Sequence, residues 1–389
     1  MSHPLLSAAA VRRSADHLFA LAGAGSLTHW HIDPEALPRA VDTVATTIRS
    51  AYPDLAIPYH ARWRHFAVGG RDRWAQLSAD LSAAERLEAA VEAVIVSVLL
   101  DAGAGTTWHV AEDGRRYHRS EGLAVASLAA YGAGVFSAGP SPRRVDAAAL
   151  QRLDESALAP AFQVSAANPL PGMAGRVALL QRLGAVVAAR TDVFPTGRLG
   201  AFAHSLAHRP AVAAEDILAA VLEVFGPVWP GGRQVAGVDL GDAWPHDQAL
   251  EAGHVPFHKL SQWLSYSLLE PLEAAGITVT GLDGLTGLPE YRNGGLMIDT
   301  GLIVPRDPGL LTTPLSVGHP AVVEWRALTV AWLDRLRAPV ARALTLDPDQ
   351  FPLARLLEGG TWAAGRAIAA RLRADGGPPL QLLLDGTVF

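Results

Sequence analysis

Apolar residues recur at helical spacing along most of this chain, which leaves room for little regular β-structure. Near the N-terminus, Val11, Ala15, Leu18 and Ala22 fall on one face of a helix predicted over residues 5–23. Half of the 389 residues are hydrophobic and only 18% are charged, so the chain can bury a large core. We therefore predict a mainly α protein with a small β-sheet in its C-terminal half, an α+β fold.

The chain is predicted to form a single domain, residues 1–389, that can divide into two lobes. Proline and glycine cluster at residues 226–232, between an all-helical lobe, residues 1–226, and a lobe of helices and a small antiparallel sheet, residues 233–389. Ser82 with Glu85 forms a capping box for a helix that runs to Leu99. Strand signals occur at residues 234–240, 277–281, 296–304 and 380–389, the last with an Asp385–Gly386 turn.

The composition excludes several classes of function. A net charge of -6 and a pI near 6.1 argue against nucleic acid or an anionic membrane as the partner. The absence of cysteine removes disulfides, thiolate nucleophiles and iron–sulfur clusters. No P-loop, dinucleotide-binding, nucleophile-elbow or HExxH motif is present in the sequence. We expect a cytoplasmic protein that takes a small-molecule substrate without cofactor or metal, and the sequence is compatible with a homodimer.

Residues 256–301 attract attention because Lys259 is the only lysine in a chain whose other basic residues are all arginines. Lysine carries a compact ammonium group whose pKa can shift on burial, whereas arginine stays charged. Read as a helix, this region places His258, Gln262 and Tyr266 on one stripe and Lys259 with Trp263 on the next. We expect the leucines of this helix to face the core, and its polar, aromatic face to meet a ligand.

The segment after this helix reads as a loop, because Pro289, Asn293, Gly294 and Gly295 interrupt it. A loop would place Glu290, Tyr291 and Arg292 on an exposed turn. Asn293–Gly295 is typical of a hairpin turn, and Asp299 would lie beside a strand over residues 296–298 or simply cap a turn.

Other polar clusters have both a structural and a functional interpretation. His60, Arg62 and Arg64 lie among large aromatics, where the arginines either pair with surface carboxylates or grip an anion such as phosphate. Asp101 follows a helix at a glycine-rich end, and Glu121 suits the start of a helix. Glu324 lies within a predicted helix as a ligand group or a buried ion pair, and the pair His29 and His31 is too isolated to predict a metal site.

Several sequence segments, taken in this order, resemble those of one protein family. They are His60-Ala-Arg-Trp-Arg-His-Phe66, Leu99-Leu-Asp-Ala-Gly-Ala-Gly105, Arg119-Ser-Glu-Gly-Leu-Ala-Val-Ala-Ser127, Phe257-His-Lys-Leu-Ser-Gln-Trp263, Leu288-Pro-Glu-Tyr-Arg-Asn-Gly-Gly295, Val323-Glu-Trp-Arg-Ala-Leu328, Gly360-Thr-Trp362 and Asp385-Gly-Thr-Val-Phe389. The chain resembles, over almost its whole length, the bacterial and fungal uracil-catabolism family of the Urc4/Urg3 type, catalogued as domain of unknown function 1688. The helical layout is similar, at the level of fold alone, to queuosine-type nucleosidases and helix-hairpin-helix glycosylases.

The resemblance implies a place in a pathway that opens the pyrimidine ring while it is still attached to ribose. It implies an enzyme that releases urea by hydrolysing the N-glycosidic bond of a ribosylurea or its phosphate. An oxocarbenium-like transition state needs a carboxylate, and the departing urea needs hydrogen-bond donors. The candidate carboxylates are Glu290, Asp299, Asp101, Glu121 and Glu324. The candidate substrate-binding residues are His60, Arg62, Arg64, His258, Lys259, Gln262, Trp263, Tyr291, Arg292 and Asn293. An amidohydrolase that attacks the urea carbonyl and a non-catalytic binding or scaffold protein of the same pathway stay open as alternatives.

Overall fold

The computed structural model describes residues 3–101, 103–105, 107–229, 234–235 and 237–383, and it is mainly helical, with 55% helix and 10% strand. This confirms the mainly α character predicted from the periodicity. The α-helices are α1 (Ala8–Gly23), α2 (Leu37–Ala51), α3 (Arg62–Phe66), α4 (Arg73–Leu77), α5 (Ala83–Leu99), α6 (Arg119–Gly132), α7 (Ala147–Gln151), α8 (Glu155–Leu158), α9 (Met173–Ala189), α10 (Phe202–Leu206), α11 (Ala214–Phe225), α12 (Lys259–Ala274), α13 (Tyr291–Asp299), α14 (Pro320–Ala343), α15 (Leu353–Leu356) and α16 (Trp362–Leu372). One π-helical turn, Leu357–Thr361, joins α15 to α16. Within the described residues, no helix is both long and apolar enough to cross a membrane.

The strands pair two at a time rather than forming one sheet in the C-terminal half. They are β1 (Trp30–Ile32), β2 (His109–Glu112), β3 (Arg115–His118), β4 (Ala211–Ala213), β5 (Gln234–Val235), β6 (Val238–Asp239), β7 (Ala243–Pro245), β8 (His254–Pro256), β9 (Thr278–Thr280), β10 (Ile303–Pro305), β11 (Leu315–Ser316) and β12 (Leu382–Leu383). The pairs β1–β10, β2–β3, β5–β6 and β7–β8 are antiparallel, and β4–β9 and β11–β12 are parallel. The predicted Asp385–Gly386 turn lies outside the described residues, as do residues 230–232 of the predicted hinge.

The chain clusters into two compact units, each assembled from segments distant in sequence. Within the described residues, the first unit comprises residues 3–60, 234–262 and 281–383, and the second comprises residues 61–229 and 263–280. Contact density alone does not define what folds independently, so the division into lobes at residues 226–233 stays a prediction.

The core of the first unit is built around α14. This helix begins at His319, whose ring nitrogen accepts the N–H of Ala321 at 3.1 Å, with proline at its first position. Its residues from Ala321 to Leu333 are buried, and it packs against α1, α2, α13 and α15. A helix that is buried on all sides over this length lies in the interior of its unit, and α14 carries two charged residues, Glu324 and Arg326, into that interior.

The core of the second unit is built around α5. The predicted capping box is confirmed, because Ser82 Oγ accepts the Glu85 N–H and Glu85 accepts the Ser82 N–H. The helix is buried from Ala89 to Leu99 and packs against α3, α6 and α9.

The loop and hairpin predicted around Asn293–Gly295 are wrong, because these residues lie inside α13. Glycine serves close packing here rather than a turn. A Cβ at Gly294 would lie 2.3 Å from Cζ2 of Trp325, whose indole N–H donates to the Gly294 carbonyl at 3.0 Å. The strand predicted from residue 296 begins only at Ile303.

The helix predicted around Lys259 is confirmed, but it begins at Lys259, so His258 precedes it. Its leucines are buried, as predicted: Leu260, Leu264, Leu268 and Leu272 are at most 5% exposed. Gln262 and Tyr266 on its polar stripe are fully buried as well, and the contact of this face with a ligand stays a prediction.

Candidate active site

Glu290 caps the N-terminus of α13. Its backbone is extended, and its carboxylate accepts the N–H of Arg292 at 2.8 Å and the N–H of Asn293 at 2.5 Å. The residue is 7% exposed, so the prediction of an exposed turn is wrong for Glu290 and equally for Arg292, which is 3% exposed. Capping explains this burial, because the carboxylate turns back onto the helix that it starts.

The charge state of Glu290 is set by opposing effects. Burial raises the pKa of its carboxyl above the usual value, while the two backbone N–H bonds and the charges of Lys259 and His60 lower it. Burial prevails, and the pKa is raised. His60 and Lys259, which lie far apart from each other in the sequence, therefore both act on the carboxyl group of Glu290. A carboxyl with a raised pKa is suited to exchanging protons near neutral pH.

Lys259 is held at the start of α12 by Asp242. The Lys259 N–H donates to Asp242 Oδ2 at 3.0 Å, and the Phe257 N–H donates to the Asp242 carbonyl at 2.9 Å. His258, between them, has a φ of 49°, a left-handed conformation that is costly for a residue other than glycine. Its Nε2 bonds the carbonyl of Leu5 at 2.8 Å, and burial lowers the pKa of the imidazole, which favours the neutral ring. His258 thus shapes the turn that presents Lys259.

Asp242 is itself fixed by Arg326 of α14. The guanidinium binds both carboxylate oxygens at 2.8 Å, and Trp244 Nε1 donates to Oδ1 at 2.8 Å. Burial alone would raise the pKa of Asp242, but the charge and hydrogen bonds of Arg326 hold it well below its usual range. Arg326 also lies 4.0 Å from the ring centroid of Phe257. The turn that carries Lys259 is therefore anchored to the central helix of the first unit.

His60 is oriented by a second carboxylate, Glu358. Their Nδ1 and Oε2 atoms are 2.8 Å apart, and Tyr52 donates its hydroxyl to Glu358 at 3.3 Å. Glu358 lies in the π-helical turn, a distortion often found at functional sites. The following Gly360 allows this turn to approach α2, since a Cβ there would lie 2.6 Å from Val44 Cγ1. We call His60, Lys259, Glu290 and Glu358 the Glu290 cluster.

Other predicted residues of the first unit adjoin this cluster in sequence but have separate partners. Asp299 is bound by both terminal nitrogens of Arg373, one of them at 2.9 Å. Arg292 donates to the Gly376 carbonyl at 2.9 Å and lies 5.3 Å from the ring centroid of Tyr291, which is half-buried. These contacts fix the C-terminal segment after α16, and roles in catalysis or substrate binding for these residues stay predictions.

Two further predicted residues point their polar atoms at neighbouring backbone. The Gln262 carbonyl accepts the Thr286 N–H at 2.8 Å, and its amide donates to Thr286 Oγ1. Asn293 Nδ2 donates to the Leu288 carbonyl at 3.0 Å. Its Oδ1 is buried and has no hydrogen-bond partner among the described residues, and a role of Asn293 in substrate binding stays a prediction.

Glu324 is fully buried and forms a separate group with two histidines. It accepts the His29 N–H at 2.9 Å, pairs with His29 Nδ1 at 2.8 Å and lies 3.4 Å from His246 Nε2. Burial would raise the pKa of Glu324, but the bonds from His246 and His29 lower it. Glu324 is thus a buried, hydrogen-bonded carboxylate, and its partners are two histidines rather than the neighbouring Arg326. In the described part of the chain, no group of three or more His, Asp or Glu side chains is arranged to hold a metal.

The predicted residues of the second unit form two groups. Arg62 is fully buried and pairs with Asp101 at 2.9 Å, and burial lowers the pKa of its guanidinium while Asp101 raises it. Arg64 instead binds both oxygens of Glu270 at 2.7 Å. Each arginine thus pairs with a carboxylate, as predicted, although the Arg62–Asp101 pair is buried rather than at the surface, and Arg62 Nη2 and Arg64 Nε have no hydrogen-bond partner among the described residues. Anion binding by these arginines stays a prediction.

The last two predicted residues are on helices of the second unit. Glu121 is half-buried in the first turn of α6, where the helix dipole favours a carboxylate. Trp263 is 5% exposed, with its ring 6.1 Å from that of His65.

Sequence reasoning missed Glu358 and did not single out Asp242 as the support of Lys259. Glu358 carries one signal in the sequence, the Gly359–Gly360 pair that follows it. Asp242 lay in a polar and aromatic cluster just before residue 256, but nothing in the sequence couples it to Arg326, 84 residues away. Both belong to the second layer of contacts that orients the groups nearest Glu290.

Comparisons with known proteins place the chain among relatives that it matches over nearly its full length. Residues 4–389 match the family model described as "Protein of unknown function (DUF1688)". The chain is 37% identical to "Protein urg3" of Schizosaccharomyces pombe, over 99% of this chain and 98% of that protein. It is 36% identical to "Uracil catabolism protein 4" of Lachancea kluyveri, over 94% of this chain and 93% of that protein.

Proposed function

The chain belongs to the DUF1688 family, and on that premise we propose that it is a hydrolase of uracil catabolism that cleaves an N-glycosidic bond. The substrate is a ribosylurea or its phosphate, and the products are urea and the sugar. We infer the pathway from the name of one relative, "Uracil catabolism protein 4". We further propose that the helices follow the layout of queuosine-type nucleosidases and helix-hairpin-helix glycosylases, an analogy at the level of fold alone.

The observation that carries the proposal is the buried carboxyl of Glu290, with its raised pKa, within reach of the charges of Lys259 and His60. Hydrolysis adds water across the C1–N bond: the hydroxyl group goes to C1 and a proton goes to the urea nitrogen. In this scheme Glu290 takes a proton from the attacking water and stabilises the positive charge that develops on the sugar. Lys259 and His60 donate hydrogen bonds to the departing urea, and the proton that Glu290 took from water passes to the urea nitrogen, which returns Glu290 to its ionised form.

The order of the candidate carboxylates follows from their partners. Asp299 is held by Arg373, Glu324 by two histidines and Asp101 by Arg62, and each of these pairs would have to break to release a reactive carboxylate. Glu290 is bound by neutral backbone N–H groups, which can hold the carboxylate in place while it exchanges a proton. We therefore place Glu290 first.

The test is product analysis of the purified, EDTA-treated protein with ribosylurea and, separately, its phosphate. We expect urea and free sugar, or sugar phosphate, in equal amounts by mass spectrometry. Glu290→Gln should lower kcat by at least about a hundredfold, the usual weight of a general base. Glu215→Gln makes the same chemical change on an exposed position of α11 and should leave kcat unchanged.

Each other outcome assigns a different function. Ammonia or carbamate in place of urea would move the cleavage to the urea carbonyl and make the protein an amidohydrolase. Binding of either compound without turnover would favour a scaffold protein. Full activity of Glu290→Gln would remove Glu290 from the mechanism.

The pH dependence of kcat/KM tests the role of Glu290 independently. A base must be ionised, so activity should fall as the pH drops through the raised pKa of Glu290. The acidic limb should therefore lie above the value near 4.3 of a solvated glutamate. A profile that instead falls as the pH rises through this range would make Glu290 the general acid.

A further inference from the structure

A cavity of about 370 Å³ lies within the second unit, and nothing in the proposed reaction uses it. Its volume is in the range of small-molecule sites, which run from roughly 300 to 1,000 Å³. The walls come from α3 and α4, the first turns of α5 and the end of α12. Every lining residue belongs to the second unit, so the cavity is a property of that unit alone.

The apolar wall of the cavity includes two indoles. Trp63 is 8% exposed, its indole N–H donates to the Ser267 carbonyl at 2.8 Å, and its ring meets that of Trp74 edge to face at 5.3 Å. Leu87 and Pro271 extend the same wall. The two indoles are already packed against each other, so a flat ring of a ligand can contact them with little further loss of conformational entropy.

The polar groups of the cavity balance in charge. Arg64 and Arg86 face Asp72 and Glu270, and Arg64 is already held by both oxygens of Glu270. Arg86 donates to the carbonyls of Ser78 and Leu81, and Asp72 accepts the Ala75 N–H at 2.9 Å. An anionic ligand would compete with Glu270 for Arg64, and a cationic ligand would compete with Arg64 for Glu270. A neutral ligand avoids both costs.

The shape and the charge of the walls together define the ligand. The two indoles offer an apolar surface to a flat ring, and the pairing of Arg64 with Glu270 disfavours a ligand of either charge. We propose that this cavity binds a neutral, planar ring compound through the indoles of Trp63 and Trp74.

Three probes of the same shape test the proposal: benzamide, benzoate and benzamidine, which are neutral, anionic and cationic. Binding is measured by ligand-observed NMR on the full chain at pH 7. We expect benzamide to bind most tightly and the two charged probes at least about tenfold more weakly, because each must disturb the Arg64–Glu270 pair. Stronger binding of benzoate or benzamidine would overturn the charge argument, and no binding of benzamide at millimolar concentration would overturn the site.

Two alanines in the first turn of α5 supply a matched pair of variants. Ala83 lines the cavity and Ala84 does not, although both are exposed. Ala83→Trp should fill the mouth and weaken benzamide at least about tenfold, while Ala84→Trp should leave its affinity within about twofold. Equal affinity in both variants would place the probe elsewhere. If circular dichroism shows that Ala83→Trp is not folded, Trp74→Ala decides, since it removes one face of the site and should weaken benzamide to a similar degree.

Discussion

Replacing Arg326 by methionine is the sharpest test of how the first unit holds Lys259. Arg326 is fully buried and binds Asp242 through two hydrogen bonds of 2.8 Å. Methionine has an unbranched side chain that can fill much of the same space, so the change mainly removes the charge. Asp242 would keep two donors, Trp244 Nε1 at 2.8 Å and the Lys259 N–H at 3.0 Å.

The expected cost is large because the variant leaves a carboxylate buried without its counter-charge. Removing one partner of a buried ion pair costs about 3–5 kcal/mol of unfolding free energy. Because two hydrogen-bond donors still stabilise Asp242, we expect Arg326→Met to cost about 3 kcal/mol. Adding Asp242→Asn removes the stranded charge, so the double variant should be more stable than Arg326→Met alone. The measurement is urea unfolding at pH 7, followed by circular dichroism and tryptophan fluorescence.

The same helix provides a control with similar geometry at the surface. Arg335 pairs with Asp16 at 2.9 Å and lies 4.0 Å from the ring centroid of Phe19, as Arg326 lies 4.0 Å from that of Phe257. Arg335 is exposed, so Arg335→Met should cost only about 0–1 kcal/mol. The two sites differ in burial and in the number of hydrogen bonds, because Arg326 binds both oxygens of its carboxylate and Arg335 binds one.

The pH dependence gives the refuting result. In the unaltered protein the pKa of Asp242 is held below its unfolded value, near 3.9, so its stabilising contribution is present above about pH 4 and lost as the pH falls through the folded pKa. Without Arg326, burial raises that pKa, and protonation relieves the variant in acid. The loss of unfolding free energy in Arg326→Met, relative to the unaltered protein, should therefore be greatest near pH 7 and smaller near pH 4. A deficit below about 1 kcal/mol at pH 7, or one that is the same at both pH values, would refute the reasoning.

Two more changes in unfolding free energy follow from the structure, each measured by urea unfolding. Gly365→Ala should destabilise by about 1–3 kcal/mol, because its Cβ would lie 2.1 Å from the Arg292 carbonyl oxygen, whereas Gly226→Ala, which meets open space, should be neutral or stabilising by up to about 1 kcal/mol. Equal effects would contradict the close contact of α13 with α16. Ser82→Ala should cost about 1 kcal/mol through loss of the capping box, and Ser50→Ala, at an exposed position in the last turn of α2, should stay within about 0.5 kcal/mol. A loss of similar size at both serines would remove the cap as the cause.

Sequence pattern predicted those parts of the fold whose causes are local. The capping box of α5 depends on two residues three positions apart, and the helix that begins at Lys259 depends on the spacing of its own leucines. The α13 helix could not be found in this way. Its Asn293–Gly295 segment favours a turn in isolation, and it is helical because Glu290 caps it and Trp325 needs a glycine beneath its ring.

The candidate site was predictable only in part, for a related reason. The composition drew attention to Lys259, and Glu290 stood out beside Tyr291 and Arg292. Glu358 did not stand out, because its functional meaning comes from a contact with His60 that spans 298 residues. A contact between residues so far apart cannot be predicted from the local spacing of one sequence, whereas a single lysine among arginines can be seen in the composition.

The structure also explains why Glu290→Gln is a clean test of catalysis. The glutamine amide can accept one of the two backbone N–H groups that the carboxylate holds now, which costs about 1 kcal/mol of capping. The substitution also removes a carboxylate whose burial raises its pKa. It therefore removes the free-energy cost of keeping that charge buried at neutral pH. The two effects oppose each other, so the variant should remain folded with a melting temperature close to that of the unaltered protein. A loss of urea release in a protein that keeps its melting temperature would then report on chemistry at Glu290 and not on the integrity of α13.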